Sequence, residues 1–183
     1  MPLTPGDLPK RGPASTTSAS QPLLLVDIDG VISLFGFSAS ARPEGTFHWI
    51  DGIPHYLSAT AAGHLLRLAE RFELTWCSGW EERAEEYLPH LLGVPSGLGH
   101  LSFERNVGGL TCARAHWKLD AIDAYAHTRP LAWIDDAFND ACHQWAQTRE
   151  APTLLVQTAP EQGLTSTQVG ALEDWVAELA NLP

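Results

Sequence analysis

The sequence predicts an α/β fold in which helices cover both faces of a parallel sheet. Three observations carry that expectation. Short, continuously apolar runs alternate with amphipathic stretches of ten or more residues, long enough for the crossover that joins two parallel strands. Two of the apolar runs end in paired carboxylates, at Asp27/Asp29 and Asp135/Asp136. The chain has 183 residues, 44% of them hydrophobic, the composition of one globular domain. At that size a chain buries about 70% of its unfolded surface, enough for a core without disulfide staples.

Residues 1–22 are rich in Pro, Ser, Thr and Gly and offer little to bury, so they are expected to form a disordered tail ahead of a single domain over 23–183. Leu23–Val26, Phe72–Trp76, His100–Phe103, Leu131–Ile134 and Thr153–Gln157 are the expected strands, five in all. Between them, helical periodicity covers Ala59–Arg71, Glu81–Leu92, Ala113–His127, Ala137–Arg149 and Ser166–Leu179. One segment breaks the alternation. Thr46–Ile50 and Pro54–Ser58 flank Asp51-Gly52-Ile53 and predict a β-hairpin, which would stand over the carboxyl end of the first strand, where such sheets bind ligands. The last helix has the clearest start. Thr165 and Gln168 have capping-box spacing, and Leu164 and Val169 are placed to staple across it.

With 22 acidic residues against 11 Lys plus Arg, the net charge is −11. That excludes an extended nucleic-acid-binding face, which needs clustered positive charge, but not a phosphate-bearing substrate met at one metal site. Cys77, Cys112 and Cys142 form neither a Cys-x-x-Cys pair nor an even framework, so reduced thiols in a cytoplasmic protein are expected. No stretch approaches the ~20 apolar residues of a membrane span, and Leu23–Val26 is too short for a signal-peptide core.

Leu25-Val26-Asp27-Ile28-Asp29-Gly30-Val31 is the strongest chemical signal. An apolar strand delivers two carboxylates and then a glycine that permits an unusual backbone angle. Carboxylates so close repel each other and call for a shared proton or a hard divalent cation with oxygen ligands. An ordinary solvated turn is the plain alternative, since Asp and Gly often end strands. Trp133-Ile134-Asp135-Asp136-Ala137-Phe138-Asn139-Asp140 repeats the pattern. Helix capping explains one of these acids but not three at the end of a buried strand. Side by side, the two strand tips would form a metal cage.

These residues resemble the haloacid dehalogenase (HAD) superfamily, mostly Mg²⁺-dependent phosphohydrolases. Asp27-Ile28-Asp29-Gly30-Val31 is similar to its first motif, and Leu74-Thr75-Trp76-Cys77-Ser78-Gly79-Trp80 to the second, a hydroxyl residue after a strand. Lys118 stands where the third-motif lysine belongs. Asp135-Asp136, with Asp140 in Asp-x-x-x-Asp spacing, is similar to the fourth. The resemblance covers residues 22 to about 160. Trp76-Cys-Ser-Gly-Trp-Glu-Glu82, Trp117-Lys118 and Trp133-Ile-Asp-Asp136 also resemble the small HAD domains associated with Swiss-army-knife RNA-repair proteins.

The resemblance implies a three-layer, doubly wound Rossmann-like sheet of order 5-4-1-2-3, with the hairpin as its flap and no large cap. It implies an aspartyl-phosphate mechanism on a phosphomonoester, a small molecule or the phosphorylated end of a larger one. Asp27 would be the nucleophile and Asp29 the general acid/base. Ser78, Gly79, Gly30 and Lys118 would surround the phosphoryl group. Mg²⁺ would be held by Asp27, the Asp29 carbonyl and Asp136, with Asp135 or Asp140 assisting directly or through water. Thr75 is the alternative to Ser78, but it falls inside the strand and Ser78 at its tip.

Other readings remain. A catalytically quiet module of the same fold would bind a phosphorylated ligand or a protein. Cys77 and Arg83 have the Cys-x5-Arg spacing of cysteine phosphatases, although Glu81 and Glu82 in that loop would repel thiolate and phosphate alike. None of the eight histidines has zinc-site spacing. His48 and His55, with Phe35, Phe37, Trp49 and Trp80, are placed either to touch a leaving group or to pack within the hairpin.

Overall fold

The structure, a computed structural model, describes residues 21–103 and 116–181. The expectations for residues 1–20 and for Cys112 lie outside them, as does Ala113, but the helix expected from there starts only at Leu119, with residues 116–118 not helical. In chain order the elements are β1 (Leu23–Val26), β2 (Ser33–Leu34), β3 (Gly45–Ile50), β4 (Ile53–Ser58), α1 (Ala61–Ala69), β5 (Glu73–Trp76), α2 (Arg83–Leu92), β6 (Gly99–His100), α3 (Leu119–Ala126), β7 (Leu131–Asp135), α4 (Asp140–Thr148), β8 (Thr153–Gln157) and α5 (Ser166–Leu179). A parallel five-stranded sheet runs β6-β5-β1-β7-β8, and a small antiparallel sheet runs β2-β4-β3.

Alternation along the central strands divides the core in two. Leu24 and Val26 of β1, Leu74 and Trp76 of β5, and Ala132 and Ile134 of β7 face one side, where Leu65, Leu68, Leu88, Val169 and Leu172 of α1, α2 and α5 cover them. Leu23, Leu25, Leu131 and Trp133 face the other, against Leu119, Ile122 and Ala126 of α3 and Cys142 of α4. Residues i and i+2 share a face, so a strand sandwiched between two helix layers must be apolar at every position. That is why these runs read as unbroken hydrophobic stretches.

Several boundaries differ from the sequence expectation. Gln21 and Pro22, expected in the tail, are tied to the domain: Arg129 donates to the Gln21 carbonyl at 3.0 Å and the Glu73 amide to that of Pro22 at 3.0 Å. The third strand is Gly99–His100 rather than His100–Phe103. It is an edge strand, and its ladder stops after the Leu101 amide reaches the Trp76 carbonyl at 2.9 Å. The fourth helix starts at Asp140 rather than Ala137, because Asn139, in extended geometry, caps it by accepting the Cys142 amide at 3.1 Å. The second starts at Arg83 rather than Glu81, whose φ of 50° is not helical.

The hairpin forms with a two-residue turn. Asp51 (φ 50°) and Gly52 (φ 79°) are both left-handed, and Ile53 pairs with Ile50 instead of joining the turn. A third short strand, Ser33–Leu34, pairs with β4 and fastens the hairpin to the chain leaving β1. No helix among the described residues is long and apolar enough to cross a membrane.

Candidate active site

Register brings the two acid-tipped strands together. Val26 pairs with Ile134 on one side and with Trp76 on the other, so the next residues, Asp27, Asp135 and Cys77, lie abreast at the carboxyl edge of three parallel strands. The Asp27 amide continues the ladder to the Ile134 carbonyl at 3.0 Å, as the Cys77 amide does to Val26 at 2.8 Å. Period two puts Asp27 on the face of Leu23 and Leu25, and Asp135 on that of Leu131 and Trp133. This is the α3 side, and Lys118 caps α3.

The Lys118 ammonium, 3% exposed, lies 2.9 Å from Asp27 Oδ2 and 2.6 Å from Asp135 Oδ2. Burial pushes its pKa down, but the two carboxylates outweigh burial and hold it above its ordinary value. Trp133 Nε1 donates to the same Asp135 oxygen at 3.1 Å, and the Ala137 amide donates to Asp135 Oδ1 at 3.0 Å. Every oxygen of Asp135 thus has a protein donor. Burial drives the Asp27 carboxyl up to about 6, with Lys118 pulling it down and Asp135 adding to the rise. Burial, then Asp135, raises Asp136 as well.

Carboxylate oxygens of Asp27, Asp135 and Asp136 lie within 4.8 Å of one another. Three carboxylates against one ammonium leave two negative charges in a largely desolvated cleft, which fits a divalent cation in charge and in its hard oxygen donors. Gly30 makes the space for Asp136. Its φ is 75°, and a Cβ there would stand 2.5 Å from the Asp136 carboxylate. Thr158 Oγ1 donates to the Gly30 carbonyl at 2.8 Å, pinning the loop from β8.

Ser78 is buried one residue beyond Cys77, at the tip of β5. Thr75 faces sideways, 3.4 Å from the Tyr125 hydroxyl. Gly79 is exposed beside Trp117, whose ring would be 3.8 Å from a Cβ at that position. Asp29, half-exposed, accepts from Trp80 Nε1 at 3.0 Å. His55 Nδ1 lies 3.7 Å from its other oxygen and 3.0 Å from Ser33 Oγ. Asp140 stands exposed in the first turn of α4, outside the carboxylate cluster.

Of the aromatic and histidine candidates, His55 on the hairpin and Trp80, between β5 and α2, reach Asp29. Phe37 packs on Tyr56, Trp49 is 75% exposed, Phe35 is 50% exposed, and His48 lies directly opposite His55 in the β3–β4 ladder. Sequence reasoning missed three supports, Trp133, Ala137 and Thr158. Trp133 was the readable one, two residues before Asp135 and hence on its face.

The cysteine-phosphatase arrangement does not form. Cys77 is fully buried and burial pushes its thiol well above the ordinary range, while Arg83 points away to pair with Asp51 at the hairpin tip. Among known proteins, no family model matches the chain and no curated protein matches it.

Two outcomes follow. Lys118→Met leaves Asp27 and Asp135 buried without their counter-charge, so urea unfolding should show a loss of about 3–5 kcal/mol in metal-free protein; added Mg²⁺ should recover part of it. For Asp27, a folded-state value of about 6 lies above the unfolded 3.8. Its contribution is therefore full below the unfolded value and is lost as the pH rises to about 6, by about 3 kcal/mol. In EDTA, Asp27→Asn should gain on wild type across that window and run parallel to it above.

Proposed function

We propose that the chain is a HAD-like, Mg²⁺-dependent phosphohydrolase that forms an aspartyl-phosphate on Asp27. The observation that carries this reading is the surplus of negative charge at the tips of β1 and β7, with a buried lysine between the nucleophile and its neighbour. The sheet order β6-β5-β1-β7-β8, with the acids at the ends of its middle strands, supports it too.

Each residue has a role that its surroundings suit. Asp27 is ionised above about pH 6 and carries the attacking oxygen. That oxygen forms the bond to phosphorus while the ester P–O bond breaks, its electron pair going to the leaving oxygen. Asp29 supplies the proton to that oxygen and then, as a carboxylate, takes one from the water that attacks phosphorus and releases Asp27. Lys118 keeps Asp27 from repelling an incoming phosphoryl group, and Ser78, just past the tip of the neighbouring strand, would donate to phosphoryl oxygens together with the Gly79 amide. Asp27 and Asp136, with the Asp29 carbonyl, would hold Mg²⁺. Asp135, its oxygens already engaged, would back the site through Lys118. When bound, the ion supplies Lewis-acid charge that offsets the phosphoryl oxygens.

The hairpin reaches this edge through His55, 3.7 Å from Asp29, and no large cap is expected over it. That suits a phosphomonoester small or large, including a nucleotide or the phosphorylated end of a nucleic acid. The acidic chain disfavours long contacts along a polyanion.

Phosphate release from 4-nitrophenyl phosphate and a nucleotide panel should require Mg²⁺ and fall at least a thousandfold in Asp27→Asn. Activity that survives both chelation and Asp27→Asn would sink the reading. Mg²⁺-dependent stabilisation by phosphorylated ligands without turnover would replace it with a binding module.

A further inference from the structure

Asp29 is the most exposed of the site's acids, its side chain 51% accessible, and it lies in a loop. A carboxylate so placed would ordinarily sample several rotamers in water. Here Trp80 Nε1 donates to Oδ2 at 3.0 Å. The indole is braced in turn: its ring meets the His55 ring edge-on, with centroids 4.7 Å apart and planes at 69°, and the side chain also packs against the larger core cluster. Ser33 Oγ, 3.0 Å from Nδ1, fixes the His55 ring. The hairpin carrying His55 is tied to the helix that follows Trp80, because Asp51 at its tip pairs with Arg83 and accepts from the Tyr87 hydroxyl at 2.8 Å. Loop, hairpin and α2 therefore form one body around Asp29.

Resting on the hydrolase reading above, we propose that Trp80, braced by His55, is a positioning residue for proton transfer by Asp29. An indole N–H can only donate. By occupying Oδ2 it leaves Oδ1, which His55 Nδ1 approaches only to 3.7 Å and so beyond hydrogen-bond distance, as the oxygen that carries the proton. The Oδ1–H bond breaks as the O–H bond of the leaving alcohol forms, while that oxygen keeps the electron pair of its broken bond to phosphorus. The hairpin thus does more than cover the site: it sets the aim of the general acid.

The test compares leaving groups, because a misplaced acid matters only where the departing oxygen needs a proton. kcat/KM reads the steps up to departure of that group. In Trp80→Phe, which keeps the ring against His55 but loses the N–H, kcat/KM for an alkyl phosphate such as glycerol phosphate should fall about tenfold or more. For 4-nitrophenyl phosphate, which departs without protonation, it should change less than about twofold. Asp29→Asn should show the same selectivity, larger. Independently of turnover, the Trp80 indole proton resonance, assigned by its disappearance in Trp80→Phe, should move upfield in Asp29→Ala.

Equal losses on both esters, no loss on either, or an unmoved indole resonance would overturn the positioning role while Mg²⁺-dependent, Asp27-dependent turnover persisted. A wild type that hydrolyses neither ester, with Asp27→Asn indistinguishable from it, would overturn the hydrolase reading and this role together.

Discussion

The ammonium of Lys118, buried between the carboxylates of Asp27 and Asp135, is the interaction on which the rest of this edge depends. It exists because β1 and β7 are parallel neighbours in a register that sets the two acids abreast, and because α3 starts on the face toward which both point. A buried ion pair is rarely the most stable use of such a position; apolar residues of similar volume often do as well. This cluster is less economical still, since Asp136 adds a third carboxylate beside a single lysine. A surplus of charge held out of water is costly in an empty fold and useful in one that takes up a cation and a phosphoryl group. The raised Asp27 and Asp136 values express that cost.

The remainder of the site is built to hold this arrangement open. Gly30, in a left-handed conformation, clears space for Asp136, and Thr158 pins its carbonyl from β8. Trp133 and the Ala137 amide saturate Asp135, so this residue fixes the lysine and leaves Asp27 and Asp136 with the freer oxygens. The hairpin is anchored at its base by β2 and at its tip by Arg83 and Tyr87, and from there it brings His55 to the Trp80–Asp29 contact.

Much of this was legible in the sequence because it is local. Leu23–Val26 was readable to the residue, since a doubly buried strand is apolar without interruption, and the edge strand Thr153–Gln157 was readable from its apolar Leu154–Val156 centre. The last helix was readable because its capping signals are near neighbours in the chain: the Thr165 amide donates to Gln168 Oε1 at 3.1 Å, and Leu164 and Val169 are both buried. Helix starts at Arg83 and Asp140 were displaced by single residues: the left-handed Glu81, whose carboxylate accepts the distant Phe103 amide, and Asn139, which caps through Cys142 three residues on. Asp27 and Asp135 announced themselves as acids at strand ends. Which of Asp135, Asp136 and Asp140 joins the cluster depends on loop geometry, and the hold of Trp80 on Asp29 spans 51 residues of chain, which no local pattern encodes.

The two strand tips carry a surplus of negative charge that suits a divalent cation. Calorimetric titration of Mg²⁺ into the protein at pH 7.5, beside Asp136→Asn, tests it most directly. One ion per chain, with binding lost or weakened at least tenfold in the variant, is the expected result. An absence of binding by wild type, or binding indifferent to Asp136→Asn, would contradict the account.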